Sequence, residues 1–400
     1  MVITEENLDI CHPGVFAKRT PDRPSVILGS SGVWLSFAEF EVVSCQFSHL
    51  LRRVGVARGD RVAVFLENHL LYLPLAWGAL RSGARFVAIA SHLSPDEVDY
   101  ILTDSGASVL VTSKFMSGTI ARARMEGVSE TNRFMLDGAE PGFVAIEPVL
   151  AREPSSPIPD QAEGVEMLYS SGTTGRPKGI LKAMPTGEFG IPAPGYRLTS
   201  KIYSIDEHSV YLSTAPLYHA APLMFSMRCL RYGATVVIME KFDAEQALRL
   251  IETHRVTHSQ WVPTMFVRML RLPEQTRLSA DLSSLRYVIH AAAPCPIEVK
   301  RRMIDWLGPI LWEYYGGSEG NGLTVLDCDE WLSHPGSVGS AKIGRIRICG
   351  ADGEELAVGG EGTGYFSDGP VFEYHNDPDK TSEAHNRYGW STLGDIGYVD

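Results

Sequence analysis

"LRSGARFVAIASHLSPDEVDYILTDSGASVLV", residues 80–111, decides the fold. Its first part, "RFVAIA", is an apolar, β-rich run. Ser94 then offers a helix N-cap, Pro95 suits the first turn, and Asp96 and Glu97 place acids at the positive end of the helix dipole. "SVLVTS" follows as a second strand. A strand, an amphipathic helix and another strand make the unit from which parallel sheets covered on both faces are built. The segments before it continue the alternation. "SFAEFEVVSCQFSHLLRRVG" (36–55) reads as a helix capped by Ser36 and ended by Gly55, and "RVAVFLEN" (61–68) as a strand. "LLYLPLAWGAL" (70–80) reads as a buried helix, too short to span a bilayer.

The pattern returns in "LRYGATVVIMEKFDAEQALRLIETHRVTHSQWV" (230–262). Both segments open on Leu-Arg-x-Gly-Ala, then give a β-branched strand, a helix start with an acid, and another strand. Any two βαβ units share such features. A second reading is a pair of similar α/β layers with a cleft between them, and ligands favour such crevices. The expected fold is therefore α/β: two stacked, similar parallel subdomains, at about 1–155 and 185–334, plus a smaller β-rich one at about 335–400. In that last region glycines become dense and short runs such as "KIGRIRICG" alternate with turns such as "ADGEE". "EPSSPIPD" (153–160) reads as a connector.

Composition narrows the function. The chain has 400 residues, 44% hydrophobic and 21% charged, as in ordinary globular proteins. A net charge of −12 argues against a nucleic-acid partner. The six cysteines are scattered, with no metal-site or disulfide spacing. "MVITEENLDI" lacks the basic and apolar regions of a signal peptide. A cytoplasmic protein without a membrane span is expected.

"MLYSSGTTGRPKGILKAM" (167–184) carries the chemistry. Between its apolar ends lie four hydroxyls, two glycines, Arg176 and Lys178. A flexible linker has such a composition. Here, however, "GVEMLY" and "GILKAM" read as paired strands, and hairpin loops usually have only two to five residues. Glycines let successive amides face one anion, and hydroxyls and Lys178 add donors and charge. The loop is no Walker A motif, since Lys178 follows proline and the chain leaves as a strand. A nucleoside triphosphate held by a different device is indicated.

"YSSGTTGRPKG" resembles the phosphate loop (169–180) of the AMP-forming adenylating enzymes, which include acyl-CoA synthetases. "APLYHAAPL" resembles the family's acid-pocket motif, "IHAAAPCP" its adenine-side loop, "YYGGSEG" its Tyr-Gly-x-Thr-Glu motif, and "YGWSTLGDIGYVD" its Gly-Trp-x-x-Thr-Gly-Asp motif. The resemblance, which includes "GDRVAVFLEN", covers essentially the whole chain. It implies that an acid is joined to AMP with release of pyrophosphate and then passed to coenzyme A. It assigns Ser170, Ser171, Gly172, Thr173, Thr174, Gly175 and Lys178 to the phosphates, and Glu319 with Thr173 to Mg²⁺. Ala291, Ala292, Ala293, Glu313, Tyr314, Tyr315, Gly316 and Ser318 are assigned to the rest of the nucleotide, with Tyr315 stacked on adenine. The alanines stand where glycines are usual. Asp395 would bind the ribose, beside Leu393 where threonine is common. Thr173, Lys178, His219 and Glu319 are the expected catalytic residues.

His219, Met224 and Gly317 are assigned to the acid, and Trp261, Thr264 and Met265 either line its far end or pack a helix core. Amino-acid-activating relatives place an aspartate after the acid-pocket motif. No acid occurs here between His219 and Glu240, so an apolar acid is expected, with a fatty acid favoured over an aryl or sterol-side-chain acid. The family's small C-terminal domain, with its hinge and lysine, is expected to be absent, because Lys342 and Lys380 do not match the lysine's motif. ATP and acid binding with little CoA-ligase activity is then expected of these residues. The alternatives are a non-catalytic acid- or adenylate-binding module and an acyl-AMP ligase that feeds a carrier protein. Those ligases usually carry an insertion, and none is evident here. A homodimer is compatible with the sequence.

Overall fold

The computed structural model describes residues 10–170 and 176–400. They form two compact units: Met1–Gly179, Met184–Gln260 and Gln275–Leu285 in the first; Ile180–Ala183, Trp261–Glu274 and Arg286–Asp400 in the second. These limits differ from the sequence boundaries expected above.

The first unit contains β1 (Pro24–Leu28), β2 (Trp34–Ser36), β3 (Arg61–Phe65), β4 (Arg85–Ile89), β5 (Val109–Ser113), β6 (Arg133–Leu136) and β7 (Val144–Ala145). It continues through β8 (Val165–Ser170), the start of β9 (Lys178–Lys182), β10 (Val210–Ser213), β11 (Thr235–Ile238) and most of β12 (His258–Trp261). One sheet runs β8-β4-β3-β5-β6-β7 with every neighbouring pair parallel. The other runs β12-β10-β11-β1-β2, parallel except for β1 with β2. All residues of β4 and β5 are buried, as befits strands covered on both faces.

Strand pairing crosses the expected limits. β1 pairs with β11, Val26 opposite Val236, and so joins the sheet built mainly from residues 210–261. β8, beyond the 153–160 connector, pairs with β4. A short run buried on both faces carries no alternation to mark its neighbour.

Local signals were obeyed closely. Ser36 caps the helix Phe37–Arg53 in a capping box with Glu39, and Ser94 caps Pro95–Ser105 in another with Glu97. The helix Tyr72–Arg81 is buried almost throughout and packs on Phe37–Arg53 and on Ala220–Arg231. There the Arg231 guanidinium lies 4.9 Å over the Trp77 ring and pairs with Glu163 at 3.0 Å.

The second unit holds β13 (Tyr287–His290), β14 (Leu311–Tyr315), β15 (Leu323–Leu326) and β16 (Ser340–Ile343). They run β16-β15-β14-β13, with only β13 and β14 parallel. Further on come β17 (Arg345–Cys349), β18 (Gly362–Ser367), β19 (Phe372–Tyr374) and β20 (Ser391–Gly397). β17, β18 and β20 form an antiparallel three-stranded sheet, which is the expected β-rich region. β19 pairs with Ile180–Lys182, and Ile180, Phe372 and Ala384 make a small core against Tyr374. Among the described residues no helix is long and apolar enough to cross a membrane.

Candidate active site

In the first unit the phosphate-loop sequence is entered from β8 and left through β9. Tyr169 pairs with Gly179 and Ser170 with Lys178, an antiparallel hairpin as expected. Ser171, Gly172, Thr173, Thr174 and Gly175 lie outside the described residues. Both flanks are tied to one helix. The Tyr169 hydroxyl donates to Asp104 Oδ2 at 2.7 Å, and the Arg176 guanidinium sits 5.2 Å over the Tyr100 ring. Tyr100 and Asp104 are one turn apart on Pro95–Ser105, so one helix face anchors both ends.

His219 stands at the N-cap of Ala220–Arg231 without capping it, which leaves its imidazole for other partners. Surrounding protein presses its pKa below the ordinary value, and the nearby His92 adds to this, so the ring is neutral at pH 7. Its ring centroid is 4.5 Å from that of Tyr218, whose hydroxyl is 3.2 Å from His92 Nδ1. Asn68 fixes the segment before it. The Asn68 amide donates to the Ala215 and Met239 carbonyls at 3.2 and 2.7 Å, and its carbonyl accepts from Leu217 N–H at 2.8 Å. Met224, one turn along the helix, is half-buried.

In the second unit "YYGGSEG" leaves β14. The Tyr315 hydroxyl donates to Asp395 Oδ2 at 2.8 Å, joining two residues far apart in the chain. Burial and the carboxylates of Asp395 and Glu319 push the tyrosine pKa up, so it remains a donor at neutral pH. Its ring stacks on Phe366, 6.0 Å between centroids and 19° between planes. Glu319 Oε1 accepts from the Tyr374 hydroxyl at 2.9 Å. A Cβ at Gly317 would overlap Glu319 Oε2 and Leu393 Cδ2, so glycine is what lets that carboxylate fold back. Tyr314, Gly316 and Ser318 are half-buried beside it, and Asp395 is exposed.

Ala291, Ala292 and Ala293 follow β13 directly. Ala291 is buried, with its N–H toward the Trp261 carbonyl at 3.4 Å, whereas Ala292 and Ala293 are exposed. Ala292 has φ +72°, a left-handed conformation that favours glycine. Trp261 is buried, its ring 6.3 Å from that of Phe266, and Met265 is buried too; Thr264 is exposed. Glu313 is buried and turns its carboxylate to Lys300, 2.5 Å away. Burial pushes the Glu313 pKa up and the Lys300 pKa down, and their contact opposes both shifts. Sequence reasoning missed Lys300, Tyr374 and the role of Asn68.

No group of three or more His, Cys, Asp or Glu among the described residues could enclose a metal ion. Mg²⁺ needs no all-protein cage, since it keeps several waters and takes one or two carboxylates plus phosphate oxygens. Glu319 Oε2, which accepts no hydrogen bond from the described residues, could serve as such a carboxylate ligand.

The model of the AMP-binding enzyme family matches residues 15–371. The chain belongs to this family. It is 32% identical over 392 residues to a feruloyl-CoA synthase of an Amycolatopsis species, a match covering 96% of this chain and 74% of that one. It is 28% identical to the long-chain-fatty-acid–CoA ligase FadD13 of Mycobacterium tuberculosis, over 95% of this chain and 74% of that one. Among solved structures, the inhibitor-bound N-terminal domain of FACL13 from Mycobacterium tuberculosis superposes with a TM-score of 0.82 at 25% identity. The superposition covers 98% of this chain and 97% of that one. The fold is thus the α/β fold of an adenylating-enzyme N-terminal domain.

Proposed function

We propose that this AMP-binding enzyme is an acid–thiol ligase, which activates an apolar carboxylic acid with ATP and transfers the acyl group to coenzyme A. The carrying observation is the 2.8 Å bond from Tyr315 to Asp395, which unites the residues assigned to adenine and ribose. The relatives' names, for a feruloyl and a fatty acyl substrate, support an apolar acid.

In the first step a carboxylate oxygen attacks the α-phosphorus, and the bond to the β-phosphate oxygen breaks, giving acyl-AMP and pyrophosphate. In the second a thiol attacks the acyl carbon and AMP leaves. Both steps need positioning and charge stabilisation more than proton transfer. Lys178 and the residues 170–175 would hold the leaving phosphates. Tyr315 and Asp395 would fix the adenosine. Neutral His219 would border the acid without attracting its carboxylate as a counter-ion. Mg²⁺, held by Glu319 with Thr173, would neutralise phosphate charge. No acid between His219 and Glu240 would meet a cationic group, which disfavours an amino-acid substrate; among apolar acids a fatty acid is favoured, with an aryl or sterol-side-chain acid as the alternative.

The test is exchange of labelled pyrophosphate into ATP. It should depend on an apolar acid and on Mg²⁺. Exchange that is independent of every acid, by folded protein that binds ATP, would overturn the reading.

A further inference from the structure

Beneath the proposed adenine site lies a buried group of three ionisable side chains. Lys300, on the helix Ile297–Leu307, is fully inside, and so is His290 at the end of β13; Glu313 on β14 is 6% exposed. The Lys300 ammonium is 2.5 Å from Glu313 Oε2 and 4.8 Å over the Trp331 ring. His290 Nε2 is 3.5 Å from the same carboxylate oxygen, and neither ring nitrogen has a hydrogen-bond partner among the described residues. His290 and Glu313 sit opposite each other in the parallel pairing of β13 with β14.

Stability alone is a poor reason for this arrangement. Desolvating two charges costs about as much as their attraction returns, and apolar residues of similar volume usually serve as well. What the three residues join is more specific. His290 immediately precedes Ala291–Ala293. Glu313 comes two residues before Tyr315 and opens the segment leading to Glu319. Both segments leave the carboxyl ends of adjacent parallel strands, the place where α/β sheets bind ligands. Lys300 reaches them from a third element and fixes where both begin.

We infer that Lys300 and Glu313, with His290 beside them, are positioning residues that hold Ala291–Ala293 and Tyr315 in the geometry that grips adenine. They touch no nucleotide and act through the loop and the tyrosine. The inference rests on the nucleotide reading of those residues.

The test uses the 400-residue chain. Lys300→Met alone strands a buried carboxylate and should lose much of its stability. Lys300→Met with Glu313→Leu removes both charges and should melt close to the parent. Calorimetry would then measure ATP with Mg²⁺, and thermal shift would measure the acid without nucleotide. The double variant should bind ATP on the order of tenfold more weakly, the lower end of what losing such a supporting partner costs, with acid affinity unchanged. ATP binding equal to the parent's, or equal losses for ATP and acid, would overturn the inference. A double variant that fails to fold would make the pair a stabilising core element and also overturn it. Failure of the parent itself to bind ATP would instead refute the nucleotide reading.

Discussion

Removing one oxygen from Tyr315 separates two parts of the proposed nucleotide grip. Tyr315→Phe keeps the ring that stacks on Phe366 and deletes only the hydroxyl that donates to Asp395 at 2.8 Å. A hydrogen bond to a charged acceptor is worth about 1.5–3 kcal/mol net. Asp395 is exposed, so water replaces part of that, and a loss of about 1 kcal/mol is the working figure. ATP affinity should fall about fivefold. Tyr315→Ala also loses the stacking surface, worth about 1–3 kcal/mol per base. The sum, about 2–4 kcal/mol, corresponds to a loss of about 30- to 1000-fold. Calorimetric titration with ATP and Mg²⁺ measures both variants. A cycle with Asp395→Asn should return a coupling near 1 kcal/mol, because the two side chains touch directly. Equal binding by Tyr315→Phe and the parent, with no coupling, would refute the idea that the hydroxyl orients the ribose carboxylate. Equal losses in the Phe and Ala variants would refute the stack.

Glu319→Gln should weaken binding of ATP with Mg²⁺ more than binding of AMP, which needs little metal; a uniform loss in titrations of both nucleotides would remove its metal role. Ala292→Gly should stabilise the fold by about 0.5–1 kcal/mol in denaturant melts, since a left-handed L-residue costs about 1–2 kcal/mol and glycine's extra unfolded freedom returns part of it; destabilisation would contradict this. His12 accepts the Gly14 N–H through Nδ1, and burial, with Arg81, Arg231 and Lys18, holds its pKa down from 6.5 to about 3. Its folded pKa lies below the unfolded one, so its contribution is complete above about 6.5 and is lost as pH falls toward about 3. His12→Asn keeps a capping side chain and should remove up to about 1.4 kcal/mol per pH unit from the acid-side slope of stability; an unchanged slope would exclude His12 as a source.

Features set by a few adjacent residues were legible in the sequence. Ser36 and Ser94 announce their helices because each has a glutamate three residues on, and the structure contains both capping boxes. The antiparallel pairing of Val165–Ser170 with Lys178–Lys182 was legible from two apolar runs. Strand neighbours were not: nothing in "PSVIL" says that it lies beside Thr235–Ile238 rather than Arg61–Phe65. The same limit hid much of the site. Tyr315 and Asp395 were assigned to one ligand only through motifs, since local patterning cannot bring them together. Lys300 sits in "IEVKRRMIDWL", where a lysine reads as solvated. The available clue was its partner, an acid inside the apolar run of β14. Glu313 was expected at the nucleotide; its carboxylate goes to Lys300 because burial leaves a charge there in need of a counter-ion. The alanine at 292 was visible as a departure from glycine, but its positive φ was not.

The path of one oxygen atom tests the account most directly. An apolar acid labelled with ¹⁸O in both carboxylate positions would be incubated with ATP, Mg²⁺ and a large amount of the protein, and the products released by coenzyme A. Attack of the carboxylate on the α-phosphorus requires that one labelled oxygen appear in AMP and none in pyrophosphate, both read by mass spectrometry. Labelled inorganic phosphate formed with ADP would mean attack on the γ-phosphorus. Unlabelled AMP would mean attack by water. Either result would contradict the assignment of this chain to acid activation through an acyl adenylate.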